Sequence, residues 1–267
     1  MNFNGEKPMS DVRVDQRGQA LWLTIDREDK RNAMDDGVLQ ALREGVEEAG
    51  RRPGIRAVVI TGAGTKVFCA GGNLKPDADG DPFRVDPNRL DNPVALLFKA
   101  LDECPVATIA RVNGHALGGG FGLVCACDMA IAADHAKFGT PEATLGLFPL
   151  MILPAMLRVL SRRDVMRLSM TGKPVSASEA VAIGAVNEAV PSADLDAAID
   201  TLVEALAGGA PTAIRFGRRA LNTIAGMPYL DGIEYAQRVL PLLAKTDDAV
   251  EGFKAFNERR KPNWVVT

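Results

Sequence analysis

The chain has 267 residues, enough for one large domain or two modest ones. Hydrophobic residues make up 47% and charged residues 24%, which excludes a disordered polar chain. Thirty-one Lys plus Arg against 34 Asp plus Glu leave a net charge of −3, the wrong balance for a protein whose main partner is nucleic acid.

Met1 to Arg17 is polar, carries no apolar signal core, and reads as a loose lead-in ending in an edge strand. Gln19 to Asp26 holds the apolar run of a strand, and Arg27 to Asn32 is a charged loop. From Asp35, Val38, Leu39, Leu42 and Val46 recur at helical spacing until Gly50 and Pro53 stop the helix. Ala57 to Thr61 is a short buried strand, Gly62 to Gly72 a turn-rich loop, and the Asp-, Pro- and Gly-rich stretch 75–90 is expected to be mobile. A helix over 93–103 and a strand over Val106 to Val112 follow. After Gly118-Gly119-Gly120 come a short helix and a strand at Met129 to Ala133. Ala116 to Ala133 is the most apolar stretch, but Asp128 and four glycines make it a buried turn and helix rather than a membrane span. Val165 to Thr171 and Ser178 to Ile183 read as helices and Val186 to Val190 as a strand. Beyond residue 192 the pattern is helical over 193–207, 211–224, 231–244 and 247–258. The rhythm predicts an α/β core over 12–191 and a helical region over 192–267.

The four cysteines (Cys69, Cys104, Cys125, Cys127) and two histidines (His115, His135) are poorly spaced for zinc, so buried free thiols in a reducing cytoplasm and no metal are expected. No G-x-S-x-G elbow or G-x-x-x-x-G-K-[ST] loop occurs, and Gly62-Ala63-Gly64 has Val67 where a dinucleotide fingerprint needs its third glycine. Triad hydrolysis, phosphoryl transfer and hydride transfer all lose support.

Two glycine-rich loops each follow a predicted strand: Phe68-Cys69-Ala70-Gly71-Gly72-Asn73-Leu74-Lys75 and Val112-Asn113-Gly114-His115-Ala116-Leu117-Gly118-Gly119-Gly120. A glycine-rich loop that opens a helix frees backbone N–H groups toward negative charge, and two such loops can converge on one oxyanion. A single such loop is explained as well by tight turns and close packing.

The segment Ile25-Asp26-Arg27-Glu28-Asp29-Lys30-Arg31-Asn32-Ala33-Met34 resembles the opening, nucleotide-contacting segment of the crotonase (enoyl-CoA hydratase/isomerase) superfamily. Thr61–Lys75, Pro105–Asp134 and Ala136–Pro149 follow that family's signature in order and spacing, and Thr246–Trp264 resembles its C-terminal end. The resemblance implies a spiral of repeated ββα units with a C-terminal helical region that builds a homotrimer or hexamer. It implies an acyl-CoA thioester as substrate, with coenzyme A arriving as part of it, no tightly bound cofactor, and no nucleic-acid or membrane partner. By motif position the thioester oxygen would sit between the N–H groups of Gly72 and Gly119. Aligned donors stabilise an enolate more than the neutral carbonyl. The resemblance also places Ala33, Ala70, Gly71, Asn73, Leu74, Leu117, Gly118, Gly122, Pro141 and Leu145 around the substrate. Arg27, Lys30, Arg31 and Lys75 are candidates for the phosphates of coenzyme A. Phe256 and Arg259 are candidates for reaching a neighbouring subunit's ligand.

Two-carboxylate hydratases of that family carry one Glu two residues after the triple glycine and another in a Pro-Glu pair twenty positions later. Here the first position is Gly122 and the second is Glu142, in Thr140-Pro141-Glu142-Ala143. A single Glu can move a proton between carbons, as in the single-Glu isomerases. It can also support hydration if the water is held by that group or by the substrate, and the chain resembles single-Glu members such as branched-chain or glutaconyl-type hydratases. The run Leu147-Phe148-Pro149-Leu150-Met151-Ile152-Leu153-Pro154 is bulky where many hydratases have a glycine-rich turn. It suits a branched or long acyl group, or else core packing at a helix start. Asn73 stands where that family usually has Asp, so a contact made by that carboxylate is not expected here. The expectation is hydration of a 2-enoyl-CoA with Glu142 as acid and base. Δ3–Δ2 enoyl-CoA isomerisation and a catalytically silent CoA-ester-binding scaffold are the alternatives. Asp128 is expected to serve a turn, and His115 to be structural.

Overall fold

The computed structural model describes residues 11–72 and 91–264, so the readings at Asn73, Leu74, Lys75 and the stretch 75–90 lie outside the described residues. β1 (Val12–Arg17) and β2 (Ala20–Ile25) pair antiparallel, with Val12 opposite Ile25. β2 is buried on both faces: Leu21, Leu23 and Ile25 enter one apolar cluster, Ala20 and Trp22 another. A strand apolar on both faces needs cover on both. α1 (Asp36–Arg51) supplies the first layer; Asp35 caps it by accepting the Val38 N–H, and Val38, Leu39, Leu42 and Val46 turn inward.

The chain then winds through β3 (Ala57–Gly62), β4 (Val67–Cys69) and α2 (Pro93–Glu103), then β5 (Ala107–Val112), β6 (His115–Leu117) and α3 (Gly119–Ala126). β7 (Met129–Ala133), β8 (Lys137–Gly139) and α4 (Leu153–Val159) form the next turn. α5 (Arg162–Thr171), β9 (Val175–Ser176), α6 (Ala177–Ala182) and β10 (Glu188–Val190) complete it. The first strand of each turn enters a six-stranded sheet ordered β1-β2-β3-β5-β7-β10, and the second enters a four-stranded sheet ordered β4-β6-β8-β9. This is the α/β spiral of ββα units expected above. β4, β6, β8 and β9 escape sequence patterning because each has three residues or fewer, too short to display a period of two.

α7 (Leu195–Gly208) lays Leu195, Ile199 and Val203 on the face of the large sheet that carries Trp22, Val59, Ile109 and Ile131. The apolar stripe of this helix is thus satisfied within the chain. α8 (Pro211–Ile224), α9 (Tyr229–Leu243) and α10 (Asp247–Asn257) follow. Arg218 of α8 ties them to the core: its Nε donates to Asp128 Oδ2 at 2.7 Å, and its Nη1 donates to the Asp102 and Cys104 carbonyls at the end of α2 at 2.6 and 2.7 Å. Asp128 also accepts the Thr108 N–H at 2.8 Å, so it is the turn anchor expected of it.

All four cysteines are free and buried, and burial pushes the Cys69 thiol up to about 12. Among the described residues no helix is long and apolar enough to cross a membrane, and no cluster of His, Cys, Asp or Glu could hold a metal ion.

Candidate active site

β4, β6 and β8 lie side by side and parallel in the small sheet, so the chain leaves all three at the same edge. Ala70, Gly71 and Gly72 follow β4, Gly118 and the start of α3 follow β6, and a 3-10 turn over Pro141–Leu145 follows β8. Both glycine segments and the Glu142 segment therefore meet at C-terminal strand ends, where parallel sheets place ligands. Two buried amides hold the loop that feeds β4. Asn113 accepts the Gly62 N–H at 3.1 Å and donates to Gly64 O at 2.8 Å, while Asn32 donates to Ala63 O at 3.0 Å and Val67 O at 2.8 Å.

The two glycine loops touch. Gly71 has a φ of 94°, and its carbonyl accepts the Met34 N–H at 2.8 Å. Gly118 has a φ of 53°, and its N–H donates to Gly139 O at 2.9 Å. Both angles favour glycine. Space is tight at 71 as well: a Cβ there would lie 3.0 Å from Gly119 N, so the facing backbone would have to give way. A Cβ on Gly119 would lie 3.6 Å from Gly72 N. The N–H groups of Gly72 and Gly119 are thus neighbours, and neither has a hydrogen-bond acceptor among the described residues. Gly119 is the first residue of α3, so its N–H is an orphan donor at the positive end of a helix.

Glu142 stands beside these donors. Its Oε1 is 3.0 Å from where a Cβ on Gly118 would be, and its Oε2 is buried with no hydrogen-bond partner among the described residues. Burial raises its pKa above the ordinary carboxylate value, opposed only by a bond from its own backbone N–H. A carboxyl whose pKa burial raises, beside two N–H donors that have no acceptor among the described residues, is equipped to exchange a proton with a substrate whose oxygen the donors hold.

The other candidates divide. Leu117, Gly118 and Pro141 share these loops, and the exposed Leu145 ends the turn that carries Glu142. Ala70 donates its N–H to Arg31 O at 3.2 Å, which joins the charged segment to the first glycine loop. Arg27 is not offered to a ligand: its buried guanidinium lies 2.5 Å from Asp35 and 3.3 Å from Asp11, and it donates to Ala33 O at 3.2 Å. It anchors the segment instead, because a buried cation needs carboxylate partners. Lys30 and Arg31 are exposed. Phe256 is 81% exposed on α10, and no hydrogen bond or ion pair joins it or Arg259 to the loops around Glu142 among the described residues. At Gly122, Ile152 fills the space that the missing side chain leaves. Met34 was missed. It pairs with Gly72 in a parallel bridge, and its Cε lies 3.4 Å from where a Gly119 Cβ would be. The only sign of it in the sequence is an apolar residue closing a charged segment.

A family model described as enoyl-CoA hydratase/isomerase matches residues 16–266. The chain belongs to the enoyl-CoA hydratase/isomerase family. Members of this crotonase superfamily act on CoA thioesters. A carnitinyl-CoA dehydratase of Salmonella arizonae is 36% identical over 262 residues, covering 95% of this chain and 97% of that protein. The carnitinyl-CoA dehydratase of Salmonella typhimurium is 34% identical over the same length. Among solved structures, an enoyl-CoA hydratase of Mycobacterium smegmatis superposes with a TM-score of 0.87 at 29% identity, covering 96% of this chain and 99% of its own. Pseudomonas aeruginosa DspI gives 0.87 at 28% identity, over 98% of this chain and all of its own.

Proposed function

We propose that this family member hydrates a 2-enoyl-CoA thioester. The observation that carries the reading is the meeting of two N–H groups, on Gly72 and Gly119, that have no acceptor among the described residues, with the half-buried carboxyl of Glu142. The thioester oxygen would accept both N–H groups. Ionised Glu142 would take a proton from water while the hydroxyl adds at C3, which leaves an enolate whose oxygen the donors stabilise. Glu142 would then return that proton to C2, so one water is added in all and the carboxylate is regenerated. The reverse direction removes water, in keeping with relatives named as dehydratases. The exposed apolar residues after Glu142 (Leu145, Leu147, Phe148, Leu150 and Met151) favour a branched or extended apolar acyl group. A glutaconyl-type ester ranks second, since its far carboxylate would lose water against that surface.

Δ3–Δ2 isomerisation is the second reading, and Gly122 favours it: one carboxylate suffices to carry a proton from C4 to C2 without water. A panel of enoyl-CoA esters followed by absorbance and mass separates the readings. A gain of one water supports hydration, a spectral change at constant mass supports isomerisation, and silence across straight, branched and carboxylated esters supports the scaffold reading. The assembly proposed is a homotrimer or hexamer, supported by apolar residues left exposed on α8 to α10, among them Leu221, Leu230, Leu240 and Phe253.

A further inference from the structure

Gly122 lies three residues after Gly119 on α3, so the two share one face of that helix. A Cβ added at Gly122 would lie 2.1 Å from Ile152 Cγ2 and 2.5 Å from Ile152 Cβ. Because Ile152 Cβ is fixed by its backbone, no rotamer of Ile152 relieves the second contact. Ile152 is buried, immediately precedes α4, and lies near the inner end of the apolar run that begins just after Glu142. It therefore joins the helix face that carries one donor to the segment that carries the carboxyl.

We propose that Ile152 is the specificity-determining residue of this site. Its side chain, seated on Gly122, forms the inner apolar wall against which the acyl group packs, and it keeps a second proton-transfer side chain off that face. The β-branch makes this wall stiff, since two heavy atoms on Cβ restrict the first side-chain torsion. The exposed Leu147, Phe148, Leu150 and Met151 continue the apolar surface outward. The inference rests on the acyl-CoA reading given above.

Saturated acyl-CoA esters report fit without reaction. Kd values for butyryl-CoA, isovaleryl-CoA and octanoyl-CoA are measured by calorimetry for the wild type, Ile152→Val and Ile152→Ala. One methylene in an apolar pocket is worth ~10-fold or more in discrimination, so the preference for the bulkier esters over butyryl-CoA should rise ~10-fold in Ile152→Ala and less in Ile152→Val. Should Ile152→Ala fail to fold, Ile152→Val, which removes one carbon, decides alone. Intact binding with an unchanged preference overturns the inference and leaves the acyl-CoA reading standing. No binding of any ester by the wild type overturns that reading, and the inference with it. The seat is tested separately: Gly122→Ala should weaken binding of all three esters, and adding Ile152→Gly should restore it. A Gly122→Ala variant that binds like the wild type overturns the seating of Ile152 on Gly122.

Discussion

Replacing Glu142 by Gln keeps the size of the side chain and one oxygen while removing the exchangeable proton. General acid–base catalysis is worth ~10²–10⁴ in rate, or ~2.7–5.4 kcal/mol in the barrier. The upper half of that range is expected, because Ile152 fills the Gly122 face and no second carboxyl takes over from there. Loss should fall on kcat with little change in KM, since the donors of Gly72 and Gly119 are untouched. Stability should move the other way. Burial raises the Glu142 pKa, so the folded protein holds this proton to higher pH than the unfolded chain does. Below the ordinary carboxylate range both states are protonated and the group costs nothing electrostatically. As pH rises through that range to the raised value, the folded state binds more protons than the unfolded state, and stability falls. Gln carries no such charge, so Glu142→Gln should melt above the wild type at neutral pH, and the gain should shrink toward about pH 4. Steady-state kinetics on an active ester, with melting curves from about pH 4 to pH 8, read both effects. Near-wild-type kcat in the variant would refute the assignment of Glu142, and a melting gain independent of pH would refute the account of its burial.

Gly119→Pro deletes one donor at the first position of α3, where proline is best tolerated, so the helical circular dichroism should persist while kcat/KM drops by ~10²–10³. A variant with full activity would remove Gly119 from the oxyanion site. Arg218→Ala leaves Asp128 without its cation and the end of α2 without its cap, and should cost ~3 kcal/mol in urea unfolding. A change below ~1 kcal/mol would show that α8 does not depend on this anchor. Sedimentation of the purified protein should give a trimer or hexamer; a clean monomer would mean that the apolar residues on α8 to α10 are not a subunit contact.

Periodicity in the sequence determined the elements of the large sheet and the helices around it, because runs such as Gln19 to Asp26 and the helical spacing from Asp35 are local signals. The glycine doublet at Gly71-Gly72, the triple glycine and the Pro141-Glu142 pair were equally legible, since each imposes a local backbone form or supplies a distinctive group. The small sheet was not legible: β4, β6 and β8 are three residues each, and only their mutual pairing makes them strands. That pairing is what brings Gly72, Gly119 and Glu142 to one edge. The fate of individual side chains also depended on partners distant in sequence. Arg27 reads as a free cation until the fold sets Asp35 and Asp11 beside it. Gly122 reads as an empty place until Ile152, thirty residues away, is found to fill it, because which atoms occupy a cavity is decided by packing between elements and leaves no periodic trace in either one.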